Sequence, residues 1–169
     1  MTFRKRKGMT TLFIGLYLLG IHGSAQNLDS LENVLIGNGL SSEEYLTVCD
    51  DLSWNYLDDN FEKSKKYAVR GIERARSDQN LLMEARLYRN LGVAYYMNSQ
   101  MDTAQLYLGR SLEKAILLED EQLEAAVYGA IGNVHNVSGN YQEALTYYLK
   151  ALPMFEKHNN KERIRSLLG

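Results

Sequence analysis

The sequence predicts an all-α protein in which antiparallel helix pairs stack on one another. Its single proline, Pro153, agrees with long helices, because proline removes a helix donor and clashes in helix interiors. A period of about forty residues is typical of repeated helical hairpins, each of which buries its apolar face against its neighbours. Residues of similar type recur at this period: Phe61, Met101 and Tyr141, then Ser64, Ala104 and Ala144, then Tyr67, Tyr107 and Tyr147.

The first 25 residues have the pattern of an export signal. Basic residues at 4–7 precede an apolar run at 12–21, and the small residues Gly23 and Ala25 follow where cleavage is expected. The apolar run is ten residues long, whereas a membrane-spanning helix needs about 20. We predict that residues 1–25 are a cleaved signal peptide and that the protein is exported to the periplasm or cell envelope of a bacterium. An uncleaved membrane anchor is the alternative.

Removal of this signal makes the protein acidic. The whole chain has a formal net charge of −2, and loss of the four basic residues of the signal leaves −6 on residues 26–169. Such a chain lacks the basic surface that nucleic acids and anionic membranes require. We therefore expect no nucleic-acid partner, and a membrane only through a C-terminal segment outside this sequence.

A capping segment, residues 26–40, is expected ahead of the repeats. Its apolar residues follow the i, i+3, i+4 spacing of one helical face: Leu28, Leu31, Val34 and Leu35. Ser41 and Ser42 then precede two glutamates, a pattern typical of a helix N-cap with an acidic first turn.

The repeats are expected to fill the rest of the chain. Their predicted bounds are 41–79, 80–119 and 120–159, with the start of another at 160–169. The predicted helices are 81–97 and 102–118 in the second copy and 121–137 and 141–157 in the third. In the first copy, strict register places Leu52 opposite Gly92. A slide by one residue, with a shortened turn at 58–60, places Ser53 there instead.

Small residues at matched places predict where the helices of each hairpin cross. Gly92 precedes Ala104 by twelve residues, and Gly132 precedes Ala144 by the same number. We expect each glycine to face its alanine, because small side chains let two helix backbones approach closely. These positions are therefore packing contacts in our interpretation, and not catalytic ones.

The second and third copies resemble the tetratricopeptide repeat family. The residues that carry the resemblance are Tyr88, Leu91, Gly92, Tyr95, Ala104, Leu108 and Ser111, and then Tyr128, Ile131, Gly132, His135, Ala144, Tyr148 and Ala151. The resemblance implies a right-handed superhelical stack of helix pairs, an α-solenoid. The usual proline is absent at Ile116 and Glu156, and the period exceeds the usual value of about 34 residues. These departures resemble the long-period variants of exported bacterial proteins and of sensor regions in bacterial signalling proteins.

The resemblance also implies a binding face. In such a stack the first helices line a concave groove that holds a protein or peptide ligand. The positions that would point into it are Arg86, Arg89, Val93, Tyr96, Asn133 and Asn136. The family's lysine and asparagine clamp for a carboxylate is interrupted by Val93, which argues against a chaperone-tail ligand.

Catalytic chemistry is not indicated. His22 lies in the signal, His158 lies near a helix end, and His135 occupies an aromatic position of the repeat, where packing is the expected role. These histidines have no cysteine partners at zinc-site spacing, and nucleophile and phosphate-binding motifs are missing. The sole cysteine, Cys49, allows no internal disulfide and is expected to be a small buried side chain. We predict no enzyme activity, metal site or cofactor.

Two functions agree with these observations. The first is a non-catalytic scaffold that binds a protein or peptide outside the cytoplasm. The alternative is the extracytoplasmic sensor portion of a larger signalling protein, such as a histidine kinase or transcriptional regulator, whose output part lies outside this sequence.

Overall fold

The computed structural model describes residues 25–37 and 39–158, which form helices without a strand among them. The helices are α1 (Ala25–Ile36), α2 (Ser42–Asn55), α3 (Phe61–Ser77), α4 (Leu81–Met97), α5 (Met101–Leu117), α6 (Glu121–Val137) and α7 (Tyr141–Lys157). The predicted all-α fold of packed helix pairs is confirmed. The predicted signal peptide, apart from Ala25, and the predicted further repeat at 160–169 lie outside the described residues.

Helices α3 to α7 have the same length and the same kind of ending. Each has 17 residues, and the predicted bounds of α4, α6 and α7 agree with the structure, whereas α5 lies one residue earlier than predicted. The four three-residue connections each hold their middle residue at positive φ. These residues are Gln79, Ser99, Glu119 and Gly139. Each forty-residue period therefore consists of two units, and each unit is one helix followed by one three-residue turn.

Backbone hydrogen bonds show why these four connections match. After α4, the Gln100 N–H donates to the Tyr95 carbonyl at 2.9 Å, and the Ser99 N–H donates to the Tyr96 carbonyl at 3.0 Å. This nested pair is the Schellman arrangement, which satisfies the last carbonyls of a helix and requires a left-handed residue between them. Each helix therefore ends at a defined residue, and the next helix starts two residues beyond the left-handed one.

The first hairpin departs from this rule. Helix α2 begins as predicted, because Ser41 and Glu44 cap each other reciprocally, with the Ser41 N–H 2.8 Å from Glu44 Oε2. It ends at Asn55, and the connection to α3 runs from Tyr56 to Asn60, so the predicted shortened turn is wrong. Tyr56 is buried, and the centroid of its ring lies 6.1 Å from that of Tyr67, on which it stacks. The connection has no left-handed residue. The helix therefore ends next to a buried tyrosine and without a Schellman turn.

Gly92 marks the close approach of α4 and α5, but its predicted neighbour is wrong. A Cβ added to Gly92 would lie 2.7 Å from Cγ of Leu108 and 3.1 Å from the Leu108 backbone nitrogen. Gly132 lies in the same way against the ring of Tyr148. A three-residue turn brings each glycine opposite a residue one helical turn beyond Ala104 or Ala144. The glycines are packing positions as predicted, with larger partners than predicted.

Aromatic pairs fill the space between the helices of each hairpin. The rings of Tyr95 and Tyr107 stack with their centroids 5.4 Å apart and an interplanar angle of 12°. His135 and Tyr147, forty residues later, stack at 5.4 Å and 10°. The His135 ring therefore replaces a tyrosine ring in the repeat, in agreement with its predicted packing role.

Cys49 lies in the apolar cluster between α2, α3 and α4 and is fully buried. Burial raises the pKa of its thiol to about 11, because the thiolate is disfavoured away from water. We expect the folded protein at pH 8 to resist labelling by a thiol reagent such as dithionitrobenzoate, and the guanidinium-unfolded chain to react at once. Equal labelling rates in the two states would contradict this burial.

Candidate partner-binding face

Four of the six predicted binding residues lie along α4. Arg86 and Tyr96 are ten positions apart, which corresponds to about 15 Å along a helix. Arg86 is exposed, whereas Arg89, Val93 and Tyr96 are half-buried. The other two, Asn133 and Asn136, are exposed near the end of α6. We call the surface formed by these six residues the α4–α6 face.

The basic end of this face is held against α2. Nη2 of Arg86 lies 2.5 Å from Oδ2 of Asp50. The guanidinium of Arg89 lies 4.9 Å from the ring centroid of Trp54, and its Nη2 donates to Oδ1 of Asn90 at 2.9 Å. Both arginines therefore have fixed positions before any partner binds.

A buried polar network supports the two arginines. Asn90 is fully buried, and its Nδ2 donates to Oδ1 of Asp50 at 2.8 Å and to Oγ of Ser53 at 2.9 Å. Asp50 and Ser53 are buried as well. The Asp50 carboxylate thus accepts from Asn90 with one oxygen and pairs with Arg86 through the other, which joins the first helices of two successive hairpins.

A cavity of about 320 Å³ opens beside the arginines. It lies between α4, the start of α6 and the end of α7. Its lining residues are Leu82, Arg86, Arg89, Asp120, Gln122, Leu123, Ala126 and Phe155. Asp120 is already used as the N-cap of α6, since its Oδ1 accepts from the Leu123 N–H at 3.0 Å. The cavity therefore combines two guanidinium groups, a carboxylate and an amide with apolar side chains.

The other end of the face is aromatic and amide-rich. The Tyr148 hydroxyl donates to Oδ1 of Asn133 at 2.7 Å. Burial, and to a smaller extent the charge of nearby Tyr96, raises the pKa of Tyr148. Val93 and Tyr96 pack against the apolar cluster shared by α5 and α6. The structure thus joins Asn133 to Tyr148 and places Tyr96 nearby.

Asn136 stands apart from this arrangement. Its backbone carbonyl accepts from the Gly139 N–H at 3.1 Å in the following turn. In the part of the chain that the structure describes, no hydrogen bond joins its side chain to the other five residues.

Several residues that contact or adjoin this face were not identified from the sequence. Asp50 and Asn90 are forty residues apart and touch each other. A search for polar pairs at the repeat period could therefore have found them. Tyr148 was taken only as a repeat aromatic, and the cavity residues Leu82 and Phe155 carry no sequence signal of their own.

Part of the amino-acid sequence matches a protein-family model. Residues 83–157, from α4 to α7, match the model of the tetratricopeptide repeat. These residues are tetratricopeptide repeats. The α2–α3 hairpin precedes the matched residues. No curated protein matches the sequence.

Tetratricopeptide repeats generally mediate protein–protein binding, so the match at residues 83–157 suggests a protein-interaction scaffold. Among the described residues, no helix has the length and apolar character needed to cross a bilayer. Within those same ranges, 25–37 and 39–158, no three His, Cys, Asp or Glu side chains are grouped so that they could hold a metal ion.

Proposed function

We propose that this chain is an exported, non-catalytic scaffold whose α4–α6 face binds an extended segment of a partner protein. The proposal depends mainly on the fixed arginines beside half-buried aromatic residues. Arginine, tryptophan and tyrosine dominate the energy of protein interfaces when they are packed but still accessible. Arg86 on this face is 44 % exposed in its side chain, and Trp54 of α2, which lies against Arg89, is 38 % exposed.

Preorganisation supports the same conclusion. A flexible arginine loses rotamer freedom when it binds a partner, which costs roughly 0.5–1.5 kcal/mol for each side chain. Here Asp50 orients Arg86, and Trp54 with Asn90 orients Arg89. The exposed amide of Asn136, and the Nδ2 group of Asn133, whose Oδ1 accepts from Tyr148, can then bond to the peptide backbone of the partner.

A displayed library of random twelve-residue peptides, selected on the purified protein, tests this proposal. We expect enriched peptides whose dissociation constants rise at least fivefold in the double variant Asn133→Ala/Asn136→Ala. Both asparagines are exposed, so the substitutions should leave the melting temperature almost unchanged.

The matched control is Gln142→Ala/Thr146→Ala, which removes two exposed polar side chains from α7. Peptide affinity should not change in this variant. A selection without enriched peptides, or an equal effect of the two double variants, would refute binding at the α4–α6 face.

Export is the second part of the proposal, and it depends on the composition of residues 1–25. A fusion of residues 1–40 to alkaline phosphatase, which is active only after export from the cytoplasm, tests it in a bacterial host. We expect active phosphatase and a shortened N-terminus. The control replaces the basic residues at 4–7 and interrupts the apolar run at 12–21 with charged residues; activity equal to that of the unaltered fusion would contradict an export signal.

A further inference from the structure

We propose that three cations, on another side of α4 from the α4–α6 face, together bind one phosphoryl group, either free phosphate or a phosphate monoester. Arg76 at the end of α3, and Arg110 and Lys114 on α5, meet around Glu84 and Tyr88 of α4. We call these five residues the basic cluster. The inference goes beyond the proposed function, because it concerns a different surface and a different class of ligand.

The basic cluster and the α4–α6 face point in different directions from α4. An α-helix turns by about 100° per residue, so Glu84 and Tyr88 lie roughly 140° around α4 from the mean direction of its four predicted binding residues. A phosphoryl group at the basic cluster would therefore not compete with a partner segment on the α4–α6 face.

Glu84 holds two of the three cations in place. Its Oε1 lies 2.9 Å from Nε of Arg76, and its Oε2 lies 3.1 Å from Nζ of Lys114. Arg76 also donates from Nη2 to the hydroxyl of Tyr88. Glu84 is buried, whereas the side chains of Arg76 and Lys114 are 56 % and 24 % exposed. The carboxylate therefore orients two cations that remain accessible to a ligand.

Arg110 is positioned by aromatic rings and not by a carboxylate. Its Cζ lies 5.7 Å from the ring centroid of Tyr88 and 5.5 Å from that of Tyr107. The residue is exposed, and within residues 25–37 and 39–158 no ion pair or hydrogen bond engages its guanidinium. Its five N–H donors, which form a planar fork, are therefore available to the oxygens of an anion.

The charge of the basic cluster favours a phosphoryl group over a carboxylate. Three positive charges surround one negative charge, which leaves an excess of two in a chain whose net charge is −2. Arg110 and Lys114 are also four residues apart on α5, where like charges repel each other. A phosphate monoester carries a charge of about −1.5 to −2 at pH 7 and would neutralise this excess. One carboxylate would neutralise only half of it.

The third copy of the repeat shows that packing does not require these cations. Forty residues beyond the basic cluster, Glu124 and Tyr128 keep the acidic and aromatic positions. The three cation positions are occupied there by Ile116, Lys150 and Met154. Two of the three cations are therefore particular to the basic cluster, and the third copy supplies matched substitutions for testing it.

Titration of the isotope-labelled protein, followed by its amide chemical shifts, tests the proposal. The probes are inorganic phosphate, glycerol 2-phosphate and acetate, in a phosphate-free buffer of constant ionic strength at pH 7.5. We expect at least one phosphate probe to bind at least tenfold more tightly than acetate, with the largest shifts at the end of α3 and on α5.

The two phosphate probes distinguish the sources of the phosphoryl group. Tighter binding of inorganic phosphate identifies the free ion, tighter binding of glycerol 2-phosphate identifies an ester, and equal binding shows that the cluster accepts both. Binding of both no tighter than that of acetate, or shifts spread evenly over the basic side chains of the protein, would overturn the inference.

Arg110→Met removes one cation without leaving a buried group unpaired. We expect at least fivefold weaker phosphate binding and an almost unchanged melting temperature. The matched control is Lys150→Met, because Nζ of Lys150 lies 5.4 Å and 5.3 Å from the ring centroids of Tyr128 and Tyr147. Phosphate binding should not change in the control. An equal loss in the two variants would show attraction by overall charge and would overturn a site at the basic cluster.

The double variant Ile116→Arg/Met154→Lys tests whether the three cations are sufficient. It gives the third copy the cations that it lacks around Glu124, and Ile116 is 50 % exposed, so a charged side chain can reach solvent there. We expect a second phosphate to bind, with new amide shifts on α7. If phosphate binding and its stoichiometry stay as in the unaltered protein, the assignment of the ligand to this arrangement of charges is wrong.

Discussion

Replacement of Gly92 by leucine is expected to lower the free energy of unfolding by about 1–3 kcal/mol. The added Cβ alone would lie 2.7 Å from Cγ of Leu108, well inside ordinary van der Waals contact. Leu108 is fully buried, and its backbone nitrogen is 3.1 Å from the same point. Neither the side chain nor the backbone of α5 can move away without separating the hairpin.

Gly109 provides the matched control. It lies on α5, and a Cβ added there would have no neighbouring atom within 4 Å. Leucine at this position should leave stability unchanged or raise it by about 0.8 kcal/mol, since leucine favours helices more than glycine does. Thermal and urea unfolding measure both variants. A similar change in the two would show that close approach at Gly92 does not determine stability.

Asn90→Ala is expected to cost roughly 3 kcal/mol, because it leaves the buried Asp50 carboxylate without one of its donors. Asn90 Nδ2 contacts Asp50 Oδ1 at 2.8 Å, and both residues are buried. Alanine also leaves a small cavity between α2 and α4. Urea unfolding should show a lower midpoint for this variant.

Asn55→Ala is the control for this substitution. Asn55 is exposed at the end of α2, and its Nδ2 donates to the Asp51 carbonyl at 2.7 Å. Its loss should change stability by less than about 0.5 kcal/mol, as is usual for surface positions. A loss at Asn90 no larger than at Asn55 would mean that the polar network does not hold the two hairpins together.

Most of the fold could be predicted because the information is local. Helix bounds follow from turns and caps, each of which occupies a few adjacent residues, and the forty-residue period repeats them along the chain. The bounds of α4, α6 and α7 were therefore correct. The predicted shortened turn at 58–60 was wrong, because the connection already begins at Tyr56. The burial of Tyr56 depends on contacts with Tyr67 and Glu32, which are distant in sequence.

The candidate site could be predicted less well. Family resemblance indicated Arg86 and Arg89, but their orientation depends on how one hairpin is rotated against the next. The forty-residue period of the sequence gives no information about the angle of that rotation. The contacts of Arg86 with Asp50 and of Arg89 with Trp54, and the cavity beside them, therefore became visible only in the folded chain.

The left-handed turns contain positions at which substitution should increase the stability of this protein. Of the four middle residues, three are Gln79, Ser99 and Glu119, and only the fourth is a glycine. A side chain with a Cβ is strained in this conformation, so glycine should be better by about 0.5–1 kcal/mol at each position. The array could thus be strengthened at three places that belong to neither its core nor its binding face, which would make it a tolerant framework for grafting new partner specificities.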